Sequence, residues 1–126
     1  MTPKEGRVLL LRLLITEPMQ LCLFTKGPNR KNDNASRSDF ILPKSTQMHA
    51  LQFRDWLVDE EAIIARADKR TFSFSAAGEK IAGWYLATKK DQVIVGYDYY
   101  PEPYPVNSIE DKVAVRPVLA LRDVAA

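Results

Sequence analysis

The run Lys80–Tyr100, KIAGWYLATKKDQVIVGYDYY, decides the fold class. Ile81–Thr88 and Val93–Tyr100 are two apolar, β-rich runs, and Lys89-Lys90-Asp91-Gln92 is the only polar stretch between them. Branched and aromatic residues on both sides of a short polar break are a hairpin signal, although no Asn-Gly is present to fix the turn type. Gly83 and Gly96 fall inside the two arms, where a missing side chain makes room beside Trp84 and Tyr97.

The same alternation extends outward. Met19–Thr25 sets Met19, Leu21, Leu23 and Thr25 against Gln20, Cys22 and Phe24, and Arg70–Ser75 sets Phe72 and Phe74 inward against Thr71, Ser73 and Ser75. His49–Phe53 and Trp56-Leu57-Val58 are further short strands, followed by the acidic knot Asp59-Glu60-Glu61 and the apolar Ile63-Ile64. Lys112–Arg122 reads as the last strand, with Pro117 marking a bulge or an edge. Between hairpin and last strand, the three prolines of Pro101–Pro105 remove three donors, which predicts an extended surface crossover and excludes a central strand. Lys26–Ser38 has no large apolar residue and reads as a long exposed loop, after which Phe40 re-enters the core.

Seven or eight short strands separated by turn chemistry predict an all-β, antiparallel β-sandwich, jelly-roll-like, with a short N-terminal arm or helix. Residues 1–18 form the arm, loose over Met1–Gly6 and apolar over Val8–Ile15, and residues 19–122 the sandwich. Periodicity does not decide helix against strand for Val8–Ile15, and Pro18 ends it either way.

The chain has 126 residues, enough for one core, and eighteen basic against sixteen acidic residues. Through Arg54 there are nine Lys/Arg and four Asp/Glu; beyond it, nine and twelve. Val8–Ile15, interrupted by Arg12, is far short of the roughly 20 residues that span a bilayer. No small-residue cleavage site follows it, so a soluble chain without a membrane partner is expected. One cysteine, Cys22, excludes an internal disulfide and reads as a buried small hydrophobe. One histidine, His49, with one cysteine supplies neither a metal cluster nor a catalytic triad. Asp59-Glu60-Glu61 reads as a solvated turn rather than as paired catalytic acids. No phosphate-cradling glycine motif occurs. No catalytic, cofactor-binding or metal-binding residue is assigned, and the expectation is not an enzyme. Trp84, Tyr85, Tyr97, Tyr99, Tyr100 and Tyr104 crowd the hairpin, but Asp98 and Glu102 among them oppose phosphate, so core and subunit contact are favoured over specific nucleic-acid binding.

The order of these segments resembles a family of small phage virion proteins, the capsid decoration (cement) and minor structural proteins. The residues that carry it are Leu21, Leu23, Phe24 and Thr25; Trp56 and Val58; Phe72 and Phe74; Gly83, Trp84, Tyr85 and Thr88; then Lys112, Val113, Pro117, Leu119 and Leu121. Two stretches depart from the pattern: Gly96-Tyr97-Asp98 stands where the family often has a tryptophan-acid pair, and Gln47–Phe53 is more polar than its counterpart. The resemblance implies a β-sandwich that binds and stabilises an assembled phage head, with the major capsid protein or other virion proteins as partners. It also implies a homo-oligomer, a trimer first, no cofactor, and location in the virion after synthesis in the host cytoplasm. A tail, neck or baseplate role is the alternative within that class, and a carbohydrate- or peptide-binding module the alternative outside it. The expected contact residues are Val8, Leu10, Arg12 and Leu14 of the arm, Lys26, Arg30, Lys31 and Arg37 of the basic loop, and Tyr100 and Tyr104 of the hairpin exit.

Overall fold

In the computed structural model, which describes residues 2–29 and 34–121, a helix α1 (Lys4–Leu14) precedes nine strands. These are β1 (Met19–Phe24), β2 (His49–Leu51), β3 (Trp56–Asp59), β4 (Ile64–Ala67), β5 (Arg70–Ser73), β6 (Lys80–Thr88), β7 (Ile94–Pro105), β8 (Lys112–Val115) and β9 (Val118–Ala120). All pairings are antiparallel. They make a four-stranded sheet in the order β2-β1-β6-β7, a three-stranded sheet β3-β4-β9 and a two-stranded sheet β5-β8.

The hairpin supplies the centre of the largest sheet. β6 lies between β1 and β7, with Leu21 opposite Leu86 on one side and Tyr85 opposite Tyr97 on the other. The turn closes through Thr88 N–H to the Val93 carbonyl and Gln92 N–H to the Thr88 carbonyl, with Gln92 at a φ of +55°. Strands buried on both faces read as continuous apolar runs, and β1 and β6 do. Met19, Leu21 and Leu23 of β1 enter one apolar cluster, which also takes Leu86 of β6, Trp56 and Ala65 of the three-stranded sheet, and Phe72 and Val113 of the two-stranded sheet. Cys22 and Phe24 of β1, with Tyr85 of β6, face the other way into a second cluster closed by Phe40.

That second cluster is aromatic. Phe24 meets Phe40 and Tyr99 edge-on at 5.0 and 5.1 Å between ring centres, and Phe40 lies 4.7 Å from Tyr85. The Tyr99 hydroxyl donates to the Pro28 carbonyl, so the hairpin's tyrosines fasten the loop after β1 over this face. The loop's far end is held by a short 3-10 turn, Arg37–Asp39, in which the Ser36 N–H donates to Asp39 Oδ2 at 2.8 Å.

Four expectations change. Within the described residues the arm is not loose up to Gly6: α1 starts at Lys4, and Leu11 and Ile15 are buried in the large cluster. Pro101–Pro105 is no crossover but the end of β7, with Tyr104 opposite Ile81 and Pro105 opposite Lys80; the prolines are tolerated because β7 is an edge strand that bulges between these pairs and Gly83–Tyr99. The last strand is two strands, because Pro117 has no N–H to continue a ladder. Its carbonyl accepts from Ala67 N–H, and the chain passes from β8, paired with β5, to β9, paired with β4. His49–Phe53 is strand only to Leu51, since Phe53–Asp55 is a 3-10 turn whose Asp55 carboxylate accepts from Gln52 N–H and pairs with Arg70 at 3.2 Å.

At Gly83 both neighbouring strands come close, β1 through the Phe24 ring of the aromatic cluster and β7 through its backbone. A Cβ there would overlap the Asp98 carbonyl oxygen of β7 and lie 2.6 Å from Phe24 Cζ. At Gly96 a Cβ would meet only the flexible end of Leu119, at 3.4 Å. Gly83→Ala is expected to cost about 1–3 kcal/mol or more through overpacking, and Gly96→Ala about 0.5 kcal/mol or less. Urea unfolding of the two variants checks this, and equal midpoints would contradict it.

Candidate interaction surface

Helix α1 forms because Leu, Lys, Glu and Arg are good helix formers and Pro3 stands just outside its first turn. Its inner face is Val8, Leu11, Leu14 and Ile15, all packed in or against the large cluster. The acidic knot clamps the helix from the side. Asp59 Oδ1 accepts from the N–H groups of Glu61 and Ala62, which shapes the β3–β4 turn. Glu60 then meets Arg12 at 2.6 Å and Glu61 meets Lys4 at 3.0 Å. Both pairs are exposed, so they orient the helix more than they stabilise it.

The outward face of α1 is also apolar. Leu9, Leu10 and Leu13 are 58%, 52% and 56% exposed, and with Gly6 they fall at i, i+3, i+4 and i+7, one face of a helix. Beside it, Arg12, Leu57, Val58, the acidic turn and Arg66 line a hollow of about 710 Å³, with Leu57 77% exposed at its wall. Of the four arm residues expected at a contact, Leu10 and Arg12 are exposed, while Val8 and Leu14 are half-buried against the core. Leu9 and Leu13 were missed. Val8, Leu10, Arg12 and Leu14 share a face only in a strand; helical spacing of the same run would have selected Leu9 and Leu13.

The other expected residues do not form one patch. Arg37 is engaged, its guanidinium 5.6 Å from the Tyr85 ring centre and Nη1 donating to the Phe40 carbonyl at 3.1 Å. Lys26 is exposed, and Arg30 and Lys31 lie outside the described residues. Tyr100 is half-buried against the large cluster; burial first, and then Asp98, push its hydroxyl pKa up. Tyr104 is exposed, and the two tyrosines flank a groove of about 380 Å³ between the β7 bulge and Lys112–Ala114 of β8.

A more polar groove of about 530 Å³ runs between residues 44–49 and β5, lined by Ser45, Thr46, Gln47, His49, Thr71 and Ser73 among others. His49 is half-buried and meets Phe72 edge-on at 4.5 Å. Glu79 holds one wall of the groove: its carboxylate accepts from Lys44 N–H at 3.0 Å, from Ser45 N–H at 2.9 Å and from the Ser45 hydroxyl. Cys22 is buried in the aromatic cluster, and burial pushes its thiol pKa up, away from the reactive thiolate. Among the described residues, no group of three or more His, Cys, Asp and Glu is placed to hold a metal ion, and no helix is long and apolar enough to cross a membrane.

Compared with protein-family models, curated proteins and solved structures, the chain matches none.

Glu79 makes the fold pH-sensitive in a defined direction. Its slight burial pushes the carboxyl up, but the Ser45 hydroxyl, the two N–H groups and the Lys44 charge outweigh that and hold its pKa below 4.5. The folded chain therefore releases this proton more readily than the unfolded one. The stability it contributes is complete above 4.5 and is lost as pH falls through the lower folded value. Glu79→Gln is expected to unfold at lower urea at neutral pH, with the gap to the unsubstituted protein narrowing on acidification. A gap that widened in acid would refute the assignment.

Proposed function

We propose that this chain is a structural subunit of a virus particle, in the first place a decoration (cement) protein that binds an assembled phage head, and that it acts through surface contacts rather than chemistry. The observation that carries the contact reading is the outward face of α1, where Leu9, Leu10 and Leu13 stay more than half exposed on a helix whose other side is already in the core. A helix with an apolar face on each side, separated by charged flanks, offers its second face to a contact, and in an assembly protein that contact is made with a neighbour. The virion setting comes from the resemblance in the order of segments, and the antiparallel strands are consistent with it.

In the same proposal the four-stranded sheet forms one layer of a sandwich and the three- and two-stranded sheets the other. Supporting that arrangement, a single apolar cluster draws side chains from all three sheets and from α1. The partners are the major capsid protein or other virion proteins, together with further copies of the chain.

Quantitative mass spectrometry of purified particles, calibrated against the coat protein, tests the reading. A copy number comparable with the coat protein is the expected result. A handful of copies would move the protein to the tail, neck or baseplate. Absence from particles would overturn the proposal.

A further inference from the structure

The geometry points to a second copy of this chain as the occupant of the outward face of α1, in a two-fold, antiparallel helix pair centred between Leu9 and Leu10. The inference rests on reading that face as a contact surface and adds the identity and symmetry of its partner.

Three features of the helix suit its own image. In an antiparallel pair with that centre, residue positions that sum to nineteen lie opposite each other, so Leu9 meets Leu10 of the second copy and Gly6 meets Leu13. Gly6 carries no side chain of its own at the position opposite Leu13, and Thr2 Cγ2 lies 3.3 Å from where its Cβ would be, so Leu13 of the second copy packs over Gly6 beside the Thr2 methyl. Charge is complementary as well. Glu5 and Arg12 lie on the same flank of the leucine stripe, and in a two-fold antiparallel pair like flanks face each other. Arg12 of one copy then comes within two residue positions of Glu5 of the other, an axial offset of about 3 Å, and the contact occurs twice. Glu5 is exposed and has no ion pair among the described residues. Arg12 already meets Glu60 through Nη2, but a guanidinium has five donors and can hold a second carboxylate.

The clamp makes the pair feasible. Lys4–Glu61 and Arg12–Glu60 fix α1 to the β3–β4 turn, while Leu11 and Ile15 seat it in the core, so the stripe is presented on an ordered element. Leu57, exposed beside Arg12 in the neighbouring hollow, extends the apolar surface at the flank. A two-fold pair differs from the trimer that the phage resemblance implies, and the two are separable by mass alone.

Sedimentation equilibrium of the purified protein, from about 1 to about 100 µM, tests it. The expected mass is twice 14.3 kDa at the upper concentrations. Leu9→Asp with Leu13→Asp is expected to give a 14.3 kDa monomer that still unfolds in one cooperative transition, with a midpoint that no longer depends on protein concentration, since both residues lie off the core. Glu5→Arg is expected to weaken the dimer roughly tenfold at low salt, with the deficit shrinking at high salt as the repulsion from Arg12 is screened. A monomer at all concentrations, a trimer, or a dimer that survives the double substitution would overturn the pairing. If the double variant also fails to enter particles while the unsubstituted protein is monomeric, self-pairing falls and the contact reading stands.

Discussion

The approach of three chain segments at Gly83 sets the spacing of the rest of the molecule. β6 lies between β1 and β7, and at Gly83 the Phe24 ring from β1 and the Asp98 carbonyl from β7 occupy the space a side chain would take. Because that space is filled, Phe24 can reach Phe40 and Tyr99, and the aromatic cluster closes over the outer face of the sheet. The glycine, conspicuous in the sequence as an interruption of a strong strand, is what lets that strand be central.

Both faces of the large sheet are covered, by different means. One is covered by the smaller sheets and α1, through ordinary burial of Leu, Ile, Val and Phe. The other is covered by a loop rich in polar residues, which contributes Phe40 and is tied by the Tyr99 hydroxyl to Pro28 and by Arg37 lying against Tyr85. The tyrosines and the loop are therefore one structure. Rings that suggest a ligand platform in the sequence are partly consumed in holding that loop, while Tyr104, beyond the bulge, stays open.

The acidic turn shows how charge takes a structural role without burial. Asp59 organises the turn, and Glu60 and Glu61 reach back to the basic residues of α1. Such exposed pairs contribute little stability, yet they select one rotation of a helix that has apolar residues on both sides. That choice leaves Leu9, Leu10 and Leu13 facing outward.

By itself the sequence determined the strands with strong alternation or continuous apolar runs: β1, β5, β6 and the first part of β7, the turn between β6 and β7, and the burial of Cys22, Phe40, Phe72 and Phe74. Those features are local, since a period of two and a polar break are written in adjacent residues. Of the arm residues it singled out, Leu10 and Arg12 are exposed. Only the tertiary structure decided that Val8–Leu14 is helix, because a short apolar run broken only by Arg12 fits either period, and with it that Leu9 and Leu13 replace Val8 and Leu14 as the outward pair. It decided too that the proline-rich end of β7 pairs, since an edge strand needs donors on one side alone, and that the last strand divides at Pro117, where the missing N–H lets the chain change sheets. Each depends on which segment lies alongside, and a neighbour distant in sequence leaves no mark on the spacing of the residues it touches.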